Sequence, residues 1–107
     1  IGVPKDLQMA NKYYKMSADQ GNSVAQYNYG YHLLTGDGVE KDVKTAVEYL
    51  QMAAESNNAS ALYHLSICYE NGVGVELNKE KSHELLKKSE ALGNKLAKRK
   101  LGKWTKT

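Results

Sequence analysis

The sequence predicts an all-α fold, an α-solenoid of about six helices packed as antiparallel pairs, because one pattern recurs every 36 residues. A Gly-Val pair and an alanine both return at this spacing. The pairs are Gly2-Val3, Gly38-Val39 and Gly74-Val75, and the alanines are Ala25, Ala61 and Ala97. A constant spacing without insertions is typical of a tandem array and not of one globular site with a special loop.

The first half of each unit predicts an amphipathic helix, which we call helix A. In the segment SVAQYNYGYHLLTG, one helical face carries Ala25, Tyr29, His32 and Leu33. Gly36 follows as a stop, because glycine readily adopts the left-handed conformation that ends many helices. Small residues at Gly30, Ser66 and Gly102 would allow neighbouring helices to approach closely.

The second half of each unit predicts another helix, helix B. Asp42 is a good N-cap, because its carboxylate can accept hydrogen bonds from the amides of the first turn. Asn57-Asn58 closes the helix, since asparagine tolerates a left-handed C-cap. The apolar residues between them repeat at helical spacing: Val43, Ala46, Val47, Leu50, Ala53 and Ala54.

The stretch GDGVEKD between the two helices could be a ligand-binding loop, but its residues fit a structural turn better. A phosphate-binding loop would continue with Gly-Lys-Ser or Gly-Lys-Thr, which does not follow here. A calcium loop needs alternating oxygen ligands, and Val39 occupies one of those positions. We therefore predict structural roles for the turn residues of both copies: Gly36, Gly38, Gly72, Gly74, Asp42 and Asn78.

The repeated residues resemble the Sel-one-like repeat, a helix–turn–helix unit related to the tetratricopeptide repeat. The string that carries the resemblance is Ala25, Tyr29-Gly30, Leu33, Gly36-x-Gly38-Val39, Asp42, Ala46 and Ala53-Ala54, and it covers residues 2–104 with its other copies. Ser82, Ser89 and Glu90 depart from the pattern, since alanines are usual there. We expect them to give the last helix B the wetter outer face of an end repeat.

The resemblance implies a right-handed solenoid in which helix A lines the concave side. The chain is out of phase with the repeat, so the expected order of helices is B-A-B-A-B-A. We expect one repeat domain over residues 1–107, with successive units at 2–37, 38–73 and 74–107. We also expect it to belong to a longer array or protein.

The amino-acid composition indicates a globular domain. Apolar residues make up 41% and charged residues 25% of the 107 residues, as in ordinary globular domains. No apolar run approaches the roughly 18 residues of a membrane span, and the N-terminal segment IGVPKDLQ lacks the features of a signal peptide. Cys68 is the only cysteine, so no internal disulfide can form and a reducing compartment such as the cytoplasm is favoured.

His64 and Cys68, four residues apart on one helix, are the candidates for chemistry. A zinc site would need two further ligands, and His32 and His83 lie on other helices. A nucleophilic enzyme would need a base and an orienting group held beside Cys68. We expect no catalytic residue, no metal and no cofactor, so the sequence predicts that the protein is not an enzyme.

Charge is distributed unevenly along the chain. Residues 1–73 carry five basic and eight acidic side chains, whereas residues 74–107 carry ten basic and four acidic ones. Six of the basic residues fall in the C-terminal segment NKLAKRKLGKWTKT, together with Trp104. Two interpretations stay open: a terminal helix with a solvated charged face, or a site for a polyanion or acidic partner. A nucleic acid is not the partner that we expect.

The residues two and six positions after each core alanine point away from the core of helix A. They are Tyr27, Tyr31, Tyr63, Ile67, Arg99 and Lys103, and we call them the helix A strip. Tyrosines combine rigid contact area with a hydroxyl group, which suits the binding of a peptide or a partner helix. The alternative is that these residues pack against the neighbouring helix B.

The resemblance implies a protein–protein interaction scaffold or adaptor. We expect it to bind a partner peptide or helix along the concave face that the helix A strip occupies. Two alternatives stay open: a module that binds a polyanion or acidic partner through its basic C-terminal end, and a regulatory repeat domain of a larger enzyme such as a kinase.

Overall fold

The protein folds into six α-helices, with no strand among residues 3–105, the part of the chain that a computed structural model describes. The helices are α1 (Val3–Asp19), α2 (Ser23–Thr35), α3 (Val43–Glu55), α4 (Ala59–Asn71), α5 (Lys79–Ala91) and α6 (Lys95–Thr105). The molecule is elongated, with principal extents of 45 × 24 × 22 Å. The prediction of an all-α solenoid is confirmed. Gly2, in the first copy of the Gly-Val pair, lies outside the described residues.

Helices pack mainly against their neighbours in sequence, as the repeat predicts. The closest pairs are α2 with α3 and α4 with α5, so each pair is a helix A followed by its helix B. Gly30 shows why the small residues of helix A matter. A Cβ atom at this position would lie 3.0 Å from Cγ of Leu50 and 3.1 Å from the carbonyl oxygen of Ala46. Glycine therefore lets α2 and α3 come into close contact.

The core follows these interfaces as three neighbouring clusters. Between α1, α2 and α3 lie Ala18, Ala25, Tyr29, Leu33, Ala46 and Tyr49. Between α3, α4 and α5 lie Leu50, Ala53, Ala54, Ala61, Leu62, Leu65, Cys68 and Leu85. Between α5 and α6 lie Leu86, Ala97 and Leu101. Each helix in the middle of the chain contributes to two interfaces, as a stacked array requires.

Capping residues close the turns between helices. Gly36 and Gly72 end α2 and α4 with left-handed φ angles of 79° and 69°. Asp42 and Asn78 begin α3 and α5, and their side chains accept hydrogen bonds from the third backbone N–H that follows each of them. Asn57, which follows α3, has a φ of 63°. These contacts satisfy backbone groups that a helix end leaves without a partner.

Gly38 and Gly74 have positive φ angles of 72° and 70°, and they also lie directly against the preceding helix B. A Cβ atom at Gly38 would lie 2.5 Å from Cβ of Leu7, on α1. A Cβ atom at Gly74 would lie 2.5 Å from the carbonyl oxygen of Val43, on α3. Each turn is thus packed onto the helix of the previous unit, a tertiary contact that the sequence pattern did not predict.

The first copy of the turn pattern differs from the other two. The repeat aligns Asp6 with Asp42 and Asn78, which are N-caps. Helix α1 nevertheless begins at Val3 and includes Asp6 in its first turn. Pro4 is compatible with this start, because the amides of the first turn have no intrahelical acceptor.

The expectation of a wetter outer face is wrong for Ser82 and Ser89, whereas Glu90 is exposed as expected. Both serine side chains are fully buried, and both point at α4. The hydroxyl of Ser82 donates to the carbonyl of Ser66 at 2.7 Å, and that of Ser89 donates to the carbonyl of Ala59 at 2.7 Å. Serine can replace alanine here because helix carbonyls accept its proton and leave no buried polar group unsatisfied.

Candidate partner-binding surface

The helix A strip lies on α2, α4 and α6 and keeps contact with solvent along its length. Tyr27, Tyr31, Tyr63 and Ile67 are half-buried, whereas Arg99 and Lys103 are exposed. The strip therefore has an aromatic and apolar section on α2 and α4 and a positively charged section on α6.

His64 lies at the centre of the aromatic section. The centroid of its ring is 5.1 Å from that of Tyr31, 5.2 Å from that of Tyr63 and 5.5 Å from that of Tyr27. Tyr27 and Tyr31 stack on each other at 6.2 Å. These four residues, which we call the tyrosine–histidine cluster, join helix A of one unit to helix A of the next.

This role of His64 does not follow from the repeat pattern. The pattern pairs His64 with Cys68 as a possible metal ligand and leaves it out of the strip, because His64 falls three positions after Ala61 instead of two or six. The signal that could have found it is its position one residue after Tyr63 and three before Ile67, on the same side of α4.

The His64 ring is hydrogen-bonded and half-buried. Its Nδ1 lies 2.9 Å from the carbonyl oxygen of Ser60, one turn earlier in α4. Burial among the aromatic rings lowers the pKa of His64 below its ordinary value, because the charged imidazolium loses hydration there. Burial also raises the pKa of Tyr27. Both shifts favour the uncharged forms of the His64 and Tyr27 side chains.

Two of the tyrosines also pack against the core, as the alternative interpretation of the strip expects. Tyr27 packs against the cluster between α3, α4 and α5, and Tyr63 packs against the cluster between α5 and α6. Within the described residues, Tyr31 and Ile67 belong to none of the three core clusters. Of the half-buried strip residues, Tyr31 and Ile67 thus contribute least to the packing of the core.

The aromatic section continues into the charged section through a small cavity. It has a volume of about 200 Å³ and is lined by Tyr63, Leu96, Arg99, Lys100 and Lys103. A chain laid along the strip would therefore pass from tyrosine rings to a group of cations.

Cys68 and His64 do not form a reactive pair. Cys68 is 1% exposed in the core, and burial raises the pKa of its thiol. A reactive cysteine needs the opposite, an accessible group with a lowered pKa. In the part of the chain that the structure describes, no three His, Cys, Asp or Glu side chains gather closely enough to hold a metal ion. His32 lies elsewhere, with its Nδ1 2.7 Å from Oδ1 of Asn11.

Stacked helix pairs with side chains presented in a row on helix A define the class of helix-pair repeat proteins. Three stretches of this chain, residues 1–22, 23–58 and 59–94, match the Sel1 repeat. The chain belongs to the Sel1 repeat family, as its resemblance to the Sel-one-like repeat predicts. The second and third matches each begin at helix A and end after helix B. Sel1 repeat proteins are generally scaffolds for protein interactions.

Solved structures of related proteins have the same fold. A Sel1 repeat protein from Oxalobacter formigenes is 32% identical with a TM-score of 0.83, over 87% of this chain and 70% of that one. A protective antigen of uropathogenic Escherichia coli strains, with an SLR fold, is 29% identical with a TM-score of 0.85, over 89% of this chain and 20% of that one. Helicobacter pylori cysteine rich protein B shares the fold at 22% identity, with a TM-score of 0.76, over 81% of this chain and 65% of that one.

Comparison with curated proteins gives no match. This chain spans only a fifth of the length of the Escherichia coli antigen. Among the described residues, no helix is long and apolar enough to cross a membrane.

Proposed function

We propose that the protein is a non-catalytic scaffold or adaptor module that binds a peptide or helix of a partner protein along the helix A strip. The observation that carries this proposal is the tyrosine–histidine cluster. Its rings come from α2 and α4, remain partly open to solvent, and are held in place by each other.

Pre-ordered aromatic rings suit the centre of an interface. A tyrosine has few rotatable bonds, so fixing it against a ligand costs little conformational entropy, and contacts within the cluster have already restricted these rings. The strip offers apolar area, while the hydroxyl groups can exchange hydrogen bonds with a peptide backbone. Residues of this type dominate the binding energy of many interfaces.

The proposed ligand is an extended segment or a short helix that crosses from α2 to α4. Its central part would be apolar, because the tyrosine–histidine cluster offers aromatic rings and contains no lysine, arginine, aspartate or glutamate. The turn glycines and their caps contribute indirectly. They hold successive helix A segments in register. Capping bonds occupy the N–H groups of Gly36 and Gly72 and the side chains of Asp42 and Asn78.

Selection from a library of random short peptides tests the proposal without a known partner. Selected peptides would be measured by fluorescence anisotropy against the unchanged protein and the variant Tyr31→Ala. Tyr31 is the right position because, unlike Tyr27 and Tyr63, it is not part of the packing around a core cluster. The matched control is Tyr13→Ala, since Tyr13 lies on α1 outside the strip and is 73% exposed.

We expect Tyr31→Ala to weaken binding by roughly 1–3 kcal/mol, the usual cost of removing an aromatic anchor, while Tyr13→Ala has no effect. Circular dichroism should show the same helical content in all three proteins. If no peptide is enriched, or if Tyr13→Ala weakens binding as much as Tyr31→Ala, the strip is not the interface.

A further inference from the structure

A second cavity lies next to the charged section of the strip. It has a volume of about 380 Å³ and is lined by Glu70 of α4, Lys79 of α5, and Lys100, Lys103 and Trp104 of α6. Lys100 and Lys103 also line the smaller cavity that opens beside Tyr63. The two cavities thus share a wall, and together they continue the strip onto α6.

Positive charge dominates the two cavities. Lys79, Arg99, Lys100 and Lys103 face a single carboxylate, that of Glu70. Glu70 is engaged already, because its Oε1 lies 2.9 Å from Nζ of Lys100. Within residues 3–105, the other three cations take part in no ion pair.

The ion pair also orders the site. Glu70 and Lys100 join α4 to α6, and their side chains are only 28% and 31% exposed. Lys100 is therefore held at the wall between the cavities. Beside it, the ring of Trp104 stacks on His83 at a centroid distance of 4.6 Å and an interplanar angle of 27°. The larger cavity consequently combines an ordered ion pair and two further cations, Lys79 and Lys103, with a flat apolar wall.

From this arrangement we infer that the paired cavities bind the acidic end of the partner segment, with carboxylate side chains of Asp or Glu between Lys100, Lys103 and Arg99. The inference rests on the proposed function, because the segment reaches the cavities along the helix A strip. A carboxylate forms charge-assisted hydrogen bonds with lysine and arginine, and an adjacent apolar residue would fill the space beside Trp104.

The distribution of charge favours an acidic peptide over a nucleic acid or a membrane. A polyanion carries charge along its whole length, yet the tyrosine–histidine cluster contains no lysine or arginine, and residues 1–73 have more acidic than basic side chains. Only the end of the strip is positive. A ligand that matches has an apolar centre and negative charge confined to one end.

The sequences of the peptides selected from the random library test this inference. We expect Asp and Glu to be enriched at one end of the peptides that bind the unchanged protein. Selection against the double variant Arg99→Gln/Lys103→Gln should lose this acidic preference and keep the apolar residues. The matched control, Lys87→Gln/Lys88→Gln, removes the same charge from exposed positions on α5 outside both cavities and should keep the preference.

Affinity gives the second readout. An acidic selected peptide should bind Arg99→Gln/Lys103→Gln about tenfold more weakly or worse, since two charge-assisted contacts are lost, and this difference should shrink at high salt. The same peptide with Gln in place of its acidic residues should bind both proteins alike.

Every other outcome overturns the inference, and each of these outcomes has a different cause. Apolar peptides without acidic residues would leave the strip as the interface and remove the acidic site. Equal losses in the control variant would show that only net charge matters. Tighter binding of oligo-dT or of phosphatidylserine vesicles than of any peptide would assign the cavities to a polyanion. If no peptide is enriched at all, the proposed function fails as well.

Discussion

The ring of Tyr31 meets the ring of His64 edge to face, with centroids 5.1 Å apart and planes at 72°. Tyr31 belongs to helix A of one unit and His64 to helix A of the next, 33 positions further along the chain. The contact therefore joins the helix A surfaces of two successive units into one continuous surface. A ligand that touches both rings bridges two units, and its affinity depends on how those units stack.

Gly38→Ala should destabilise the protein for two separate reasons. The positive φ of 72° is unfavourable for alanine, at a cost of about 1 kcal/mol. The new Cβ atom would also collide with Leu7 and Asn11 of α1, and overpacking of this kind adds roughly 1–3 kcal/mol. Urea unfolding followed by circular dichroism measures the sum.

Gly21→Ala is the control that isolates the first reason. Gly21 has a positive φ of 97°, but a Cβ atom there would meet nothing within 4 Å. We expect Gly21→Ala to lose clearly less stability than Gly38→Ala. Equal losses would mean that backbone conformation alone explains the glycine and that the close approach to α1 has no cost.

Stability should fall as the pH drops below 6.5, the ordinary pKa of histidine. Burial lowers the pKa of His64 in the folded protein, so the unfolded chain binds the proton first and gains stability relative to the folded state. The loss continues until the pH reaches the folded pKa. Free energies of unfolding on either side of 6.5 measure the effect, and His64→Gln should reduce the slope. An unchanged slope in that variant would contradict the role of His64.

Tyr49 should lose its hydroxyl proton at a higher pH than an ordinary tyrosine does. Burial first, and then the hydrogen bond from its hydroxyl to Oδ1 of Asp19 at 2.8 Å, raise the pKa of Tyr49 to about 12. An unfolded tyrosine ionises near pH 10, so the folded state loses stability between these two values as the pH rises. Tyrosinate absorbance should show a step near pH 12 that Tyr49→Phe removes. A titration curve that the substitution leaves unchanged above pH 10 would show that Tyr49 is not protected.

The purified protein should contain no stoichiometric metal. His64 is half-buried against tyrosine rings and Cys68 is buried in the core, so the spacing of four residues does not bring an open pair of ligands together. Treatment with a chelator should leave the melting temperature unchanged. Elemental analysis that finds about one zinc ion per chain would contradict this assignment.

The helices and their caps follow from the sequence because they depend on local chemistry. A glycine after helix A and an Asp or Asn before helix B place the turns that follow α2 and α4, although Asp6 in the first copy lies within α1. Alanines at a constant spacing place the buried face. The serines at two alanine positions do not follow the expectation from residue type, because they are buried like alanine. Composition alone does not show that Ser82 and Ser89 have carbonyl acceptors on α4.

The candidate site can be predicted only in part from the sequence, because it depends on contacts between units. The helix A strip follows from helical geometry, since the positions repeat at 36 residues. Helical geometry places His64 on the same side of α4 as Tyr63 and Ile67, but its contacts with Tyr27 and Tyr31 require the stacking of α4 on α2. In the same way, the cavity beside Trp104 requires three helices to meet, and the pairing of Glu70 with Lys100 has no signature in either helix alone.

Chemical-shift mapping of the isotope-labelled protein with a selected peptide tests the central claim, that partners bind the helix A strip while the turns only support it. We expect the largest changes at Tyr31, His64 and Ile67, with little change in the turn over residues 36–42. Changes concentrated in that turn, or on the exposed face of α1 around Tyr13, would contradict the account.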